Sequence, residues 1–279
     1  MDSGRSDRGT GNLIFFFMLA LIAWLIWGPQ ALRKFGMIGW APSLQSPLNA
    51  ITVWAPTIAA VLVLCRESGS SGVKSLFGQL KKWKAGIGWF LAALLLEPAR
   101  WLAALGIDRA LGRAYELKGG ILGGVFGEAS AYMIPVAVIF TLPNALGEEL
   151  GWRGFALPRL QRRSGALPGT FVIGLFWGFW HIPAWLAWGA AELTFLPVFI
   201  MVLNAVPAAV IFTWMFNRTG GNIWIPVIYH SSIANKGYFL SDLPTYTENI
   251  LLWIVAAVIV ITGKLAPLER NEHPGGMVA

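Results

Sequence analysis

The sequence predicts an all-α polytopic membrane protein of about eight transmembrane helices in one bundle. Three observations carry this. Of 279 residues, 56% are hydrophobic and only 13% are charged, about half the charged share of a soluble domain. The mean hydropathy is +0.61. Apolar stretches of spanning length recur along the chain, and backbone in lipid must satisfy its own hydrogen bonds, which favours helices. The 15 tryptophans fit the same environment, because indoles favour the membrane interface.

Residues 1–11 are polar and Gly/Ser-rich and read as a disordered tail before a transmembrane domain over 12–263. The first span is 12–28. Trp24 and Trp27 within it, and no clean small-x-small site after it, argue for a retained span over a cleaved signal peptide. Pro29, Pro42 and Pro47 mark the loop 29–47, and the second span is 48–65. After a Gly/Ser linker at 68–72, Leu76, Phe77, Leu80 and Trp83 recur at helical spacing among lysines. That pattern predicts a short helix on the membrane surface, with a plain basic loop as the alternative.

The third span, 86–105, contains Glu97 and Arg100, spaced for an internal ion pair. A mixed-charge loop covers 106–120. The fourth span starts near Tyr132, and the apolar run continues to Leu157 before Pro158-Arg159-Leu160-Gln161-Arg162-Arg163 marks the water interface. The fifth span, 168–188, is the most aromatic. The sixth is 195–216, the seventh 222–240 and the eighth 248–263, followed by a polar tail at 264–279. No internal repeat is visible.

The +7 charge is topological, since no basic face exists outside short loops and nothing suggests nucleic-acid binding. With the N-terminus inside, fourteen of the 21 basic residues fall in cytoplasmic segments and six outside, with Arg100 buried in a span. Both termini therefore read as cytoplasmic. A single cysteine, Cys65, excludes an internal disulfide or a cysteine-based metal site.

The chemistry concentrates in Gly147-Glu148-Glu149-Leu150-Gly151-Trp152-Arg153-Gly154. Charges here cost several kcal/mol each unless paired or placed in a polar cavity. Glu149 and Arg153 share a helical face four residues apart and form a structural pair. Glu148 points elsewhere, and an unpaired carboxylate in a dry cavity suits a general base. The alternative is a single buried network of all three. His181 and His230 lie mid-membrane, and a lone histidine there is more often hydrogen-bonded core. Together with Glu148 they can bind a divalent metal such as zinc, or hold a water and an oxyanion. His-Glu-x-x-His, Gly-x-Ser-x-Gly and Walker patterns are absent.

Glu148-Glu149-x-x-x-Arg153, Trp177-x-x-x-His181, and His230 followed by an asparagine resemble the three motifs of the CPBP (Abi) family. These are intramembrane proteases related to type II CAAX prenyl endopeptidases. The resemblance covers residues 130–240, and the flanking sequence resembles bacterial members, which implies a bacterial cytoplasmic membrane. It implies that Glu148 activates a water while His181 and His230 hold the water or the oxyanion. The substrate would be a membrane-associated peptide or protein, met from the lipid bilayer. The family places asparagine four residues after the second histidine. Here position 234 is alanine and Asn235 comes one later, about 100° further round a helix; a π-bulge would realign it. Trp177 stands where phenylalanine is usual. Two rival functions are a non-catalytic immunity or scaffold protein and, less favoured, a proton-coupled transporter.

Overall fold

The structure is a computed structural model that describes residues 3–113, 133–188, 195–234 and 245–266. Among the described residues every element is helical. Helices α1 (Ser3–Ala20) and α2 (Trp24–Lys34), joined by a 3₁₀ turn at Leu21–Ala23, form the first span. Then come α3 (Leu48–Gly78), α4 (Ile87–Ala110) and α5 (Met133–Gly151). A π-helical turn, Trp152–Ala156, leads directly into α6 (Leu157–Ser164). The remaining helices are α7 (Ala166–Trp188), α8 (Phe195–Arg218), α9 (Trp224–Ala234) and α10 (Thr245–Ile261). Among the described residues, five stretches are long and apolar enough to cross a membrane: Gly9–Lys34, Leu48–Lys81, Ile87–Ala110, Ala166–Trp188 and Phe195–Arg218. The protein is an integral membrane protein.

Several element ends differ from the sequence expectation, each because a distant segment supplies a hydrogen bond. The stretch expected as a disordered tail is helical from Ser3. Its lower part is tied down where Asn12 Nδ2 donates to Glu67 Oε1 at 2.6 Å and Arg163 donates to the Thr10 hydroxyl. The loop expected from Pro29 is helix to Lys34. Gln30 donates to the Ser43 carbonyl and to Asn49 Oδ1, fixing the end of α2 to the following loop. The separate surface helix expected around 75–84 is the continuation of α3 beyond a kink at Gly69, whose φ of 60° suits glycine. It turns inward: Leu76 is buried, Gln79 donates to the Gly154 carbonyl, and Trp224 donates to the Leu80 carbonyl. Helix α4 runs five residues past its expected end. Asp108 is an interior residue that accepts from Thr247 Oγ1 (2.7 Å) and Arg113 Nη1 (2.8 Å).

Glycines set two of the helix crossings. A Cβ on Gly151 would sit 2.4 Å from the Pro56 backbone, and one on Gly147 would sit 2.8 Å from the Trp54 ring. Helices α3 and α5 therefore pack with their backbones nearly touching, as small residues permit in a membrane. Thr57 Oγ1 adds a hydrogen bond to the Gly147 carbonyl at 2.6 Å. On α7, Gly174 and Gly178 meet Val206 and Val202 of α8 equally closely. These two contacts bring the site-bearing parts of α5 and α7 to the centre of the bundle.

The expected Glu97–Arg100 pair forms, and it belongs to a larger buried cluster. Arg100 also donates to the Glu248 carbonyl and carboxylate, at 2.7 and 3.1 Å, and Tyr229 Oη donates to Glu97 Oε1 at 2.5 Å. Ser232 donates to the Leu94 carbonyl. The cluster joins α4, α9 and α10 where hydrocarbon would leave each group unpaired.

Gly151→Ala forces backbone against backbone and is expected to lower the melting temperature and yield, at about 1–3 kcal/mol for overpacking. Gly154→Ala, whose added Cβ meets only side-chain atoms at 3.4 Å, should melt close to wild type. Thermal melts of both variants in detergent check this.

Candidate active site

Glu148 and Glu149 lie in the last turn of α5, adjacent on a helix, and so point in different directions. Both are buried. Glu149 takes the guanidinium of Arg153: Nη1 donates to both its oxygens, at 2.8 and 3.0 Å. This is the pair expected from sequence. The π-turn that carries Arg153 sits where the Gly151–Pro56 contact pins α5. The extra residue in such a turn rotates the downstream helix by about 100° relative to a straight α-helix.

Glu149 has a second partner that the sequence did not reveal. His230 Nδ1 lies 2.7 Å from Glu149 Oε1, so one carboxylate binds both Arg153 and His230. Arg153 itself is completely buried. Its guanidinium lies over the Phe212 ring at 3.9 Å and over the Trp177 ring at 5.3 Å, with Nε and Nη2 unbonded among the described residues. Aromatic faces offset some of the desolvation of a cation.

Among the described residues, Glu148 has no lysine or arginine bonded to it. Its Oε2 accepts from Trp177 Nε1 at 2.9 Å. Two imidazoles face it: His181 Nε2 is 3.9 Å from Oε2, and His230 Nε2 is 3.9 Å from Oε1. His181 Nδ1 is 2.9 Å from the Trp177 carbonyl one helical turn back. Its ring stacks against Trp185 (5.3 Å, 14°) and more loosely against Trp27 (6.2 Å, 21°). Trp177 thus touches both Glu148 and His181. Its place four residues before His181 put it on the right face, but nothing in the pattern announced the indole hydrogen bond. Phe212 had no sequence signal.

Glu148, Glu149, Arg153, Trp177, His181 and His230 are therefore brought together. Asn235 lies outside the described residues. Helix α9 is regular through Ala234, and the π-turn falls in the Glu148 segment, at Trp152–Ala156.

The donor types could suit zinc, and each histidine's Nδ1 is anchored as a metal ligand's usually is. The spacing fits less well. Ligands around tetrahedral zinc lie about 3.3 Å apart for bonds near 2.0 Å, against the 3.9 Å gaps here. Among the described residues, no group of three or more His, Cys, Asp or Glu side chains has metal-site spacing. A water hydrogen-bonded at about 2.8 Å to each neighbour would bridge such gaps.

Residues 130–235, the same helices that carry this cluster, match the family described as type II CAAX prenyl endopeptidase Rce1-like. The chain is also 24% identical, over 269 residues, to CAAX prenyl protease 2 of Methanococcus maripaludis. That alignment covers 92% of this chain and 96% of the relative.

Over those residues the chain is similar to the type II CAAX protease (CPBP) family.

Both similarities support a protease of the CAAX prenyl endopeptidase type. The family match ends at the seventh span, so α10 and its Glu248 contact lie outside it.

Removing one partner of a buried ion pair strands the other, at about 3–5 kcal/mol. Arg153→Met should lower the melting temperature and expression. Glu149→Gln with Arg153→Met should recover much of that loss. Because Glu149 also holds His230, the double variant should fold well and still be impaired in catalysis. A melt beside a cleavage assay measures both effects.

Proposed function

We propose that Glu148 is the general base of an intramembrane endopeptidase whose nucleophile is a water held between Glu148 and the two histidines. The observation that carries this is the pair of 3.9 Å gaps, one from each imidazole Nε2 to a different oxygen of Glu148. The hydrogen bonds assign roles. A carbonyl oxygen only accepts, so His181 Nδ1 donates to Trp177, and neutral His181 presents a lone pair at Nε2. Glu148 and His181 then accept the two hydrogens of one water. His230 Nδ1 donates to the Glu149 carboxylate. In its doubly protonated form His230 donates from Nε2 as well, toward the oxyanion that forms on the scissile carbonyl.

The water oxygen bonds to the amide carbon as its proton passes to Glu148. The C–N bond then breaks, and the proton passes from Glu148 to the leaving amine. Trp177, Phe212 and the stacked indoles exclude bulk water. A divalent ion, were one bound, would be held by Glu148, His181 and His230 and would polarise the carbonyl. The role of Asn235 beside His230 is part of the same proposal.

We assign as substrate a membrane-associated peptide or protein, reached from the cytoplasmic leaflet. The name of the Methanococcus relative makes a prenylated C-terminal CAAX peptide the first one to assay. A chain in a bacterial cytoplasmic membrane, where ordinary protein prenylation is lacking, would cut another membrane-associated peptide.

Glu148→Gln should cut turnover by about 10²–10⁴-fold, the typical contribution of a general base. Its melting temperature should stay at or above wild type, since it removes a buried charge that no lysine or arginine among the described residues bonds, and glutamine can still accept from Trp177. Full activity, or unfolding, contradicts the assignment. Metal analysis of the same active protein separates the two sources of the nucleophile: activity without a bound divalent ion is expected, and stoichiometric metal with chelator-sensitive activity moves the water onto a metal.

Both termini are placed in the cytoplasm by the distribution of lysine and arginine. Reporter fusions after Gly263 and within 159–165 should both report cytoplasm. An external signal at either point reverses the orientation.

A further inference from the structure

A cavity lies away from the active site, in the groove between α1 and α3. It has a volume of about 750 Å³. We propose that this groove binds the headgroup of an anionic phospholipid, with Arg66 as the ligand for its phosphate.

The charges in the groove are unevenly matched. Both oxygens of Glu67 are taken, Oε1 by Asn12 at 2.6 Å and Oε2 by Arg159 at 3.0 Å. Arg66, next in sequence and exposed, has no ion-pair partner among the described residues. Its guanidinium lies 5.8 Å from the Phe15 ring. Among the described residues that line the cavity, the balance is one positive charge facing open space. Arginine's planar fork of donors matches a phosphate.

The walls are apolar, which separates a lipid from a free anion. Ile14, Phe15 and Met18 of α1 line the cavity beside Arg66. The tracks continue away from it. Ile58, Leu62 and Arg66 recur every fourth residue on one exposed face of α3, and exposed Ile14 and Met18 do the same on α1, with exposed Ile22 in the 3₁₀ turn beyond. A phosphate at Arg66 therefore has a path for an acyl chain beneath it, the pattern of a long basic side chain at the headgroup level. The groove also sits at the end of the bundle where Arg159 and Arg163 contact α3 and α1. That end carries the basic excess, and anionic lipids of the cytoplasmic leaflet are attracted to it.

The bound lipid would cover a junction of three helices. Arg159 donates to Glu67 on one side and to the Phe155 carbonyl of the π-turn on the other. Filling the groove next to that bridge should stiffen the joint between α1, α3 and α6.

The test uses the full chain in a neutral detergent. Melting temperature and retained lipids, the latter by native mass spectrometry, are measured with phosphatidylglycerol, phosphatidylcholine or inorganic phosphate added. Phosphatidylglycerol should raise the melting temperature by several degrees and remain bound, and phosphatidylcholine should do so clearly less. Inorganic phosphate should have no effect. Arg66→Gln should abolish the difference between the two lipids, and Arg66→Lys should keep part of it. Met18→Glu, which places an acid in the groove, should also abolish it. Lys82→Gln, which removes a charge at an exposed site elsewhere, should leave it intact. Equal effects of the two lipids, an unchanged preference in Arg66→Gln, or full reproduction by inorganic phosphate would each overturn the proposal. The first outcome identifies ordinary boundary lipid, the second an anionic-lipid preference that arises elsewhere on the chain, and the third a free anion site. None of them bears on Glu148.

Discussion

The site depends on one buried carboxylate, Glu149. It accepts from Arg153 on the π-turn and from His230 on α9, two segments 77 positions apart in the chain. Either partner alone would leave the carboxylate under-satisfied or the histidine unheld. A buried pair is weak grounds for stability by itself, because desolvating both charges offsets much of their attraction. Its contribution is geometric. It fixes where α9 sits relative to α5, and hence where His230 stands relative to Glu148.

A second constraint acts from behind. Tyr229 and Ser232 hold α9 to α4, while Arg100 links α4 to α10. Helix α9 has 11 residues, so packing area alone anchors it poorly. Polar bonds on two sides substitute for that area. They are concentrated where unpaired groups would be most costly, inside hydrocarbon.

The apolar segments were legible because the bilayer imposes their length and character. Their ends were less legible. Asn12, Gln30 and Asp108 extend helices through bonds to residues 19 to 139 positions away, and no local pattern carries that information. The π-turn was invisible for a similar reason, since it lies beside a glycine pressed against Pro56 of another helix. At the site, the convergence of Glu148, His181 and His230 could be anticipated because ionisable groups in a membrane seek one another. The Glu149–Arg153 pair came from helical spacing. Spacing within one helix says nothing of partners on another, so the bond from His230 to Glu149 and that from Trp177 to Glu148 emerged only in three dimensions.

The surroundings of His181 limit how its ring can move. Nδ1 is pinned to the Trp177 carbonyl, and the indoles of Trp185 and Trp27 lie nearly parallel to the ring. Trp180 and Trp177 stand nearly perpendicular to it, at 87° and 81° with centroids 4.7 and 5.2 Å away, so indoles oppose both tilting and turning. The imidazole is wedged in place, and its free nitrogen stays turned toward Glu148. Little angular freedom is then left to freeze out as a reaction begins, so the orientational entropy of this group was given up when the chain folded.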